Sequence, residues 1–274
     1  MNPYLQMFRM GNAVMGAVGL LVACFMAAGT DVFAAEHLKN MVVCFFVVIC
    51  FIAGGNSVND AIDGEIDKVS HPERPVPSGR ITARNAHIVG VTMLLFSVLL
   101  SLITWDVWCI GIVVIACILM YSYEVFLKQR GFVGNITIAV LTGMVFLLGS
   151  AIVGDVWANL PPALMAALVT VGREIAKDIE DMEGDEGRRT LPMMIGKRNA
   201  AIVAVLFFIA GPVLSIWPII ADMYGPLYYS VVIADALFLY AAYLGLKNPH
   251  AGQSMAKKGM LFGLLAFILG VFRF

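Results

Sequence analysis

Long apolar segments recur along the whole chain, and they constrain its fold more than any other feature of the sequence. A helix that crosses the hydrocarbon core of a membrane needs about 20 predominantly apolar residues. Hydrophobic residues make up 60% of the chain and charged residues only 14%, whereas soluble domains carry about 25% charged residues. These values predict an all-α polytopic membrane protein and argue against a soluble globular domain.

Nine apolar segments are long enough to span a membrane, and together they predict a nine-transmembrane-helix bundle that forms a single domain over residues 1–274. The first segment follows Arg9 and is long enough for a signal peptide, but the apolar segments that continue behind it favour a first membrane span. The predicted spans are Asn12–Ala28, Leu38–Ser57, Ala86–Thr104, Val107–Phe126, Val133–Val153, Pro161–Ala176, Ala200–Ile220, Pro226–Leu246 and Met260–Phe274.

The distribution of basic residues predicts the orientation of the bundle. If the amino terminus is cytoplasmic, the loops on that side hold all of the 18 Lys and Arg residues except Lys39 and Arg273. Cytoplasmic loops of membrane proteins carry such an excess of basic residues. We therefore expect a multi-pass protein of the cell membrane, with its amino terminus and its functional site cytoplasmic and its carboxyl terminus outside. Because the basic residues flank spans and form no separate stripe, we expect no nucleic-acid binding, and no obligate protein partner is evident.

Two acidic clusters each follow an apolar segment on the predicted cytoplasmic side. The first is NSVNDAIDGEID, in which the spacing i, i+4, i+8 places Asn59, Asp63 and Asp67 on one face of a helix, with Asp60 beside them. The second is REIAKDIEDMEGDEG, in which the spacing i, i+3, i+7 again aligns three carboxylates. These are Asp178, Asp181 and Asp185.

The clusters have the composition of a site for a hard divalent cation. Carboxylates one helical turn apart repel each other, and a bound cation removes that repulsion. Side-chain oxygens favour Mg²⁺, Mn²⁺ or Ca²⁺ over Zn²⁺. A lone acidic residue commonly does no more than solvate a loop, but two aligned clusters at the ends of apolar helices favour metal binding. The predicted metal ligands are Asn59, Asp60, Asp63, Asp67, Asp178, Asp181 and Asp185.

Both clusters resemble motifs of one family. The string NDAIDGEID, which starts at Asn59, resembles the first aspartate-rich motif of the UbiA superfamily of intramembrane prenyltransferases. The string DMEGD, which starts at Asp181 and follows Lys177 and Asp178, resembles the second. The nine predicted helices, with the motifs after helices two and six, also match, so the resemblance covers essentially the whole chain. It implies Mg²⁺-dependent transfer of an isoprenoid group from its diphosphate to an acceptor.

The longer strings around the motifs narrow the resemblance. NSVNDAIDGEIDKVSHPERPVPSGRI and REIAKDIEDMEGDEGRRTLPMMIGKR are similar to the branch of the superfamily that makes archaeal ether lipids. This similarity implies geranylgeranyl diphosphate as donor and a prenylated glycerol phosphate, geranylgeranylglyceryl phosphate, as acceptor. The alternative is an aromatic prenyltransferase that acts on a quinone precursor.

Two other classes of membrane protein are less consistent with the sequence. The acidic cluster that follows helix two recurs four helices later, which suggests two related halves. Transporters also have repeated halves and intramembrane charges, but their sites usually lie near the bilayer midplane, whereas these aspartates lie at the ends of helices. A purely structural membrane protein would not need two acidic clusters, each of which is costly at a membrane boundary.

Basic and polar residues near the clusters are candidate ligands of phosphate groups. Membrane orientation alone also places Lys and Arg beside spans, so the resemblance decides which of them are favoured. Superfamily members carry a residue comparable to Arg9 at the entry of helix one, and YSYEVFLK resembles the segment that ends helix four. Besides Asp63, Asp67, Asp181 and Asp185, Lys128 is a predicted catalytic residue. The predicted substrate-binding residues are Arg9, Asn12, Arg74, Tyr121, Ser122, Lys128, Arg173, Lys177 and Arg188.

Overall fold

The computed structural model describes residues 2–182 and 189–273, and within them it contains helices and no β-strand. The prediction of an all-α fold is therefore confirmed. The α-helices are α1 (Pro3–Met7), α2 (Met10–Ala28), α3 (Ala35–Ile62), α4 (Asp67–Ser70), α5 (Ala83–Ser101), α6 (Val107–Ser122), α7 (Phe132–Ile152), α8 (Leu160–Asp181), α9 (Leu191–Ile195), α10 (Lys197–Leu214), α11 (Ile216–Ile220), α12 (Val231–Gly245) and α13 (Pro249–Gly270).

Seven helical segments in the described part of the chain are long and apolar enough to cross a membrane. They are Met10–Phe33, Ala35–Ile62, Ala83–Thr104, Val107–Leu127, Phe132–Ile152, Lys197–Ile220 and Pro226–Gly245. The predicted spans Pro161–Ala176 and Met260–Phe274 correspond to α8 and α13, which are 22 residues long each. Neither helix is among the seven segments, and α8 carries six charged residues and α13 two lysines, so the predicted number of nine spans is not confirmed.

The two helices that lead into the acidic clusters extend further than the apolar segments predict. The span predicted to end at Ser57 continues as α3 to Ile62, and the span predicted to end at Ala176 continues as α8 to Asp181. The added turns carry polar side chains, and Asn59, Lys177 and Asp181 among them line a polar cavity. Each helix therefore carries the first residues of its acidic cluster within regular helical structure.

The bundle has two main apolar cores that share α7. Buried residues of α2, α3, α5, α6 and α7 form the first core, which includes Leu20 and Val47. Buried residues of α7, α8, α10, α12 and α13 form the second core, which includes Ile175 and Phe208. Since each core joins helices from one half of the chain, α7 connects the halves and fixes the first acidic cluster relative to the second.

Close packing between α3 and α5 depends on two small residues. A Cβ atom added to Gly90 would lie 2.8 Å from the backbone nitrogen of Val58 and 3.0 Å from the carbonyl oxygen of Gly54. These distances are shorter than a carbon atom tolerates, so only glycine allows the two helices to approach this closely. Since α3 carries the first acidic cluster, this contact helps to fix the position of the cluster.

Candidate functional site

A cavity of about 700 Å³ lies at the end of the bundle where α3 and α8 end and where α2 begins. Its lining is mostly charged or polar, in contrast to the two apolar cores. It is lined by Arg9, Asn56, Asn59, Asp63, Ile66, Asp67, His71, Arg74, Tyr123, Glu124, Lys128, Ile138, Glu174, Lys177, Glu180 and Asp181. The cavity thus collects side chains from segments that are far apart in the sequence.

The first acidic cluster reaches the cavity from the end of α3 and the start of α4. The predicted continuous helix is interrupted, because α3 ends at Ile62 and a turn precedes Asp67. A Cβ atom on Gly64, within this turn, would lie 2.8 Å from a methyl carbon of Val76, so the loop that follows α4 packs directly on the turn. Asp63 and Asp67 line the same cavity despite the break.

Each aspartate of the first cluster has a basic partner. The Arg9 guanidinium lies 2.7 Å from Asp60, and the Arg74 guanidinium donates to Asp67 at 2.5 Å. The ammonium group of Lys128 donates to the carboxylate of Asp63. The three aspartates are buried, with exposed fractions of 1% for Asp60, 8% for Asp63 and 6% for Asp67. Buried carboxylates require such compensation, because an unpaired charge in this environment is costly.

Arg9 is held in an uncommon backbone conformation between α1 and α2. Its φ of 49° and ψ of 54° lie in the left-handed region, which few residues other than glycine adopt and which is often found at functional sites. This conformation separates the two helices and directs the side chain to α3. There the guanidinium also donates to Oδ1 of Asn59 at 3.3 Å.

A π-helical turn at the end of α6, Tyr123–Leu127, supplies another wall of the cavity. A π-helical turn changes the rotation between successive residues, and such turns are frequent at functional sites. Both Glu124 and Lys128 line the cavity in consequence. Glu124 accepts hydrogen bonds from Asn59 Nδ2 at 2.9 Å and from Lys128 Nζ at 3.3 Å.

The second acidic cluster meets the cavity from the last turns of α8. Glu174, Lys177 and Asp181 line the cavity, and their spacing of i, i+3, i+7 places them on one helical face. Asp178 is one helical turn from both Glu174 and Asp181, but it does not line the cavity and instead accepts a hydrogen bond from Asn135 of α7 at 3.1 Å. Of the predicted ligands in this cluster, Asp181 therefore lines the cavity, whereas Asp178 is hydrogen-bonded to α7.

The structure brings eight of the predicted site residues together in one cavity. They are Arg9, Asn59, Asp63, Asp67, Arg74, Lys128, Lys177 and Asp181. Asp60 lies behind this group and holds Arg9. The predicted ligands Asp185 and Arg188 lie outside the described residues.

Four predicted substrate-binding residues do not line the cavity. Asn12 is exposed on α2, and Arg173 forms an ion pair with Glu174 beside it. The hydroxyl of Tyr121 lies 3.4 Å from Nε2 of His87, and Ser122 follows it at the end of α6. Neighbouring residues of a helix point in different directions, so the cavity receives Tyr123 from this segment and not Tyr121.

The donor atoms of the cavity fit a hard divalent cation. Carboxylates of Asp63 and Asp67 face it from one side and those of Glu174 and Asp181 from the other. In the described part of the chain, no group of three His, Cys, Asp or Glu side chains is arranged to hold a metal by itself. The carboxylates on the two sides of the cavity suit Mg²⁺, which commonly takes one or two carboxylates and completes its shell with water and phosphate oxygens.

Similarity to known proteins extends over nearly the whole chain. Residues 17–270 match the UbiA prenyltransferase family. The chain belongs to this family. Among UbiA relatives, the digeranylgeranylglyceryl phosphate synthase of Methanosphaera stadtmanae is 36% identical over 98% of this chain and 99% of its own. The enzyme of the same name from Thermococcus gammatolerans is 38% identical over 94% of this chain and 93% of its own.

Solved structures of UbiA proteins have the same fold. A structure of digeranylgeranylglyceryl phosphate synthase superposes with a TM-score of 0.84 at 34% identity, over 98% of this chain and 97% of that chain. A UbiA homolog from Archaeoglobus fulgidus, bound to GPP and Mg²⁺, superposes with a TM-score of 0.66 at 13% identity, over 97% of this chain and 99% of that chain. The prediction of a UbiA-type prenyltransferase bundle is thus confirmed.

Several residues of this UbiA cavity were not predicted from the sequence. They are Asn56, His71, Tyr123, Glu124, Glu174 and Glu180. Glu174 carried a usable signal, because it shares the helical spacing of Lys177 and Asp181. Glu124 carried a weaker one, as an acidic residue four positions before Lys128 near the end of an apolar segment. Glu180 is three residues after Lys177 on the same helix, so its spacing was also usable. His71 reaches the cavity through the tertiary fold, and spacing alone does not indicate its position.

Proposed function

We propose that this protein transfers a geranylgeranyl group from geranylgeranyl diphosphate to the free hydroxyl of geranylgeranylglyceryl phosphate, which forms an ether bond. The observation that carries the proposal is the single cavity that joins carboxylates of both acidic clusters with Arg9, Arg74, Lys128 and Lys177. Near full-length similarity to enzymes named digeranylgeranylglyceryl phosphate synthase supports this choice of donor and acceptor.

The carboxylates are proposed to hold the cation. Asp63 and Asp67 bind from the first cluster and Asp181 from the second, with the side chain of Asn59 beside Asp63. A Mg²⁺ ion, when bound, supplies charge neutralisation to the departing diphosphate. Asp60 and Asp178 support the site from behind, since Asp60 holds Arg9 and Asp178 is tied to Asn135. Asp185, the last aspartate of the second cluster, remains a proposed cation ligand on the basis of the sequence motif.

The basic residues are proposed to bind phosphate oxygens of both substrates. Arg9 and Arg74 present guanidinium groups, which bind phosphate through two parallel hydrogen bonds. Lys128 approaches from the end of the π-helical turn and Lys177 from α8, on other walls of the cavity. Arg9, Arg74 and Lys128 contact aspartates in this structure, and phosphate groups would provide alternative anionic partners once a cation occupies the carboxylates.

The position of the cavity suits a reaction between two membrane lipids. It lies at one end of a bundle whose helices are apolar and exposed towards the surroundings. The prenyl chains remain in an apolar environment while the diphosphate and the glycerol phosphate enter the polar end. From the distribution of Lys and Arg, we propose that the cavity and the amino terminus face the cytoplasm and that the carboxyl terminus lies outside.

A transfer assay tests the proposal. The purified full chain in detergent receives radiolabelled geranylgeranyl diphosphate and geranylgeranylglyceryl phosphate, with Mg²⁺ or with EDTA. We expect a doubly prenylated lipid that forms only with Mg²⁺. If a hydroxybenzoate or naphthoate gives product and the glycerol phosphate gives none, the protein is an aromatic prenyltransferase and the proposed acceptor is wrong. No release of pyrophosphate with any acceptor would contradict prenyl transfer altogether.

A further inference from the structure

Lys128 lies between two carboxylates that come from different helices. Its ammonium group donates to Asp63 at the end of α3 and to Glu124 in the π-helical turn, where the Nζ to Oε2 distance is 3.3 Å. All three side chains are largely buried. The ammonium group of Lys128 is thus shared by an aspartate of the first motif and by a glutamate that belongs to neither motif.

Glu124 is also connected to the motif through an amide. The Nδ2 atom of Asn59 donates to Glu124 at 2.9 Å and to Asp63 at 3.1 Å. A buried carboxylate is costly unless it is paired and hydrogen-bonded, and an apolar residue at this place in an apolar helix would avoid the cost. Glu124 accepts hydrogen bonds from Asn59 and Lys128, which both line the cavity. The buried carboxylate is therefore part of the site.

We infer that Glu124 is a positioning residue: it keeps Lys128 paired inside the cavity when a divalent cation occupies Asp63. The inference rests on the proposed function, because that function places the cation on Asp63. A divalent ion on this carboxylate repels the ammonium group at short range. Lys128 then needs another anionic partner, and Glu124 lies four residues before it, in the π-helical turn. The charge of Lys128 then stays balanced, and its ammonium group remains in the cavity, where it can bind the diphosphate.

The inference predicts opposite effects for the two members of the pair. In Glu124→Gln the shape and the acceptor for Asn59 are kept, but the alternative anion for Lys128 is lost. Lys128 then competes with the cation for Asp63, and the affinity for Mg²⁺ falls by roughly 10–100-fold, as for other residues that support metal ligands. In Lys128→Met the competing cation is gone, so Mg²⁺ binds at least as tightly as to the unchanged protein.

A double-mutant cycle separates this role from a direct one. If Glu124 acts through Lys128, adding Glu124→Gln to Lys128→Met changes the Mg²⁺ affinity by no more than about twofold. If Glu124 binds the cation itself, the same loss appears in both backgrounds. Glu65→Gln is the matched control: it removes the same charge two residues after Asp63, but Glu65 is 85% exposed and pairs with Lys68.

The experiment is calorimetric titration of Mg²⁺ into the purified full chain in detergent, with no prenyl diphosphate and no acceptor, for all five proteins. We expect weaker binding in Glu124→Gln alone. An equal loss in both backgrounds, or unchanged affinity in Glu124→Gln, would overturn the inference. If Glu124→Gln fails to fold, Lys128→Met decides, since weaker binding there overturns it as well. The titration contains no substrate and measures only Mg²⁺ binding. Its result therefore does not depend on whether the transfer assay succeeds with the proposed acceptor.

Discussion

The Nη2 atom of Arg9 lies 2.7 Å from Oδ1 of Asp60, and this pair joins the break between α1 and α2 to the last turn of α3. Asp60 is 1% exposed, whereas Arg9 is 30% exposed and opens into the cavity. The pair therefore has two consequences: it compensates a buried charge, and it fixes a guanidinium where phosphate groups are proposed to bind.

Replacing Arg9 by Met is expected to destabilise the fold as well as to weaken substrate binding. The carboxylate of Asp60 loses a charged hydrogen-bond partner, which costs about 1–3 kcal/mol of unfolding free energy. Thermal or denaturant unfolding in detergent measures this loss. Adding Asp60→Asn removes the unpaired charge and should restore part of it, while Arg84→Met, at an exposed position of α5, should leave stability unchanged. Equal stability of Arg9→Met and the unchanged protein would contradict the proposed pairing.

Loss of a single carboxylate in either cluster is expected to abolish prenyl transfer. Asp63→Ala and Asp181→Ala each remove a proposed cation ligand, and loss of charge stabilisation of this kind typically costs about 10²–10³ in rate. The transfer assay measures the rate, and size-exclusion chromatography with circular dichroism checks that the helical fold is kept. Asp31→Ala, beyond the far end of α2, serves as control and should retain full activity. Full activity in Asp63→Ala with Mg²⁺ present would rule out the proposed role.

Mg²⁺ is expected to stabilise the folded protein. A ligand that binds only the folded state at a hundred times its dissociation constant adds about 2.7 kcal/mol to the unfolding free energy. The rise should appear as a higher unfolding temperature in detergent, should vanish with EDTA and should be lost in Asp63→Ala. K⁺ at the same ionic strength is the control for screening. A rise that survives in Asp63→Ala would place the cation elsewhere.

Asn159 is expected to matter for stability and not for the reaction. It is completely buried, and its Nδ2 donates to the carbonyl oxygen of Ala23 at 2.7 Å and to that of Phe146 at 3.3 Å, which ties α8 to α2 and α7. Asn159→Ala removes both hydrogen bonds, at a cost of about 1–3 kcal/mol of unfolding free energy. Unfolding measurements should show the loss, while calorimetry should give an unchanged Mg²⁺ affinity, since the site is at the other end of the helices.

Two Gly→Ala substitutions are expected to have opposite signs. Gly90→Ala places a carbon 2.8 Å from the backbone of Val58, and such overpacking costs about 1–3 kcal/mol. Gly111→Ala, in α6, meets nothing within 4 Å and gains helix propensity of about 1 kcal/mol. Comparison of the two unfolding temperatures tests this directly. If both substitutions stabilise the protein, the contact between α3 and α5 is less close than the structure indicates.

Local patterns in the sequence predicted most of the helices, because a segment of about 20 apolar residues has few alternatives to a membrane-spanning helix. The same patterns set the ends of α3 and α8 too early. Their last turns are polar, and a pattern based on lipid exposure cannot recognise a helix whose polar face lines a cavity. The number of spans stays unconfirmed, because α8 and α13 are not among the seven segments that are long and apolar enough to cross a membrane.

The sequence by itself determined the helical membrane class and the residue types of the site, since hydropathy and the spacing of aspartates are properties of the local chain. Only the tertiary structure decided which charges meet. The turn after Ile62, the left-handed Arg9 and the π-helical turn after Ser122 each redirect side chains by an amount that depends on packing. Those three departures from regular helix bring Arg9, Glu124 and Lys128 to the first aspartate cluster, because contacts between distant segments, and not local spacing, fix their directions.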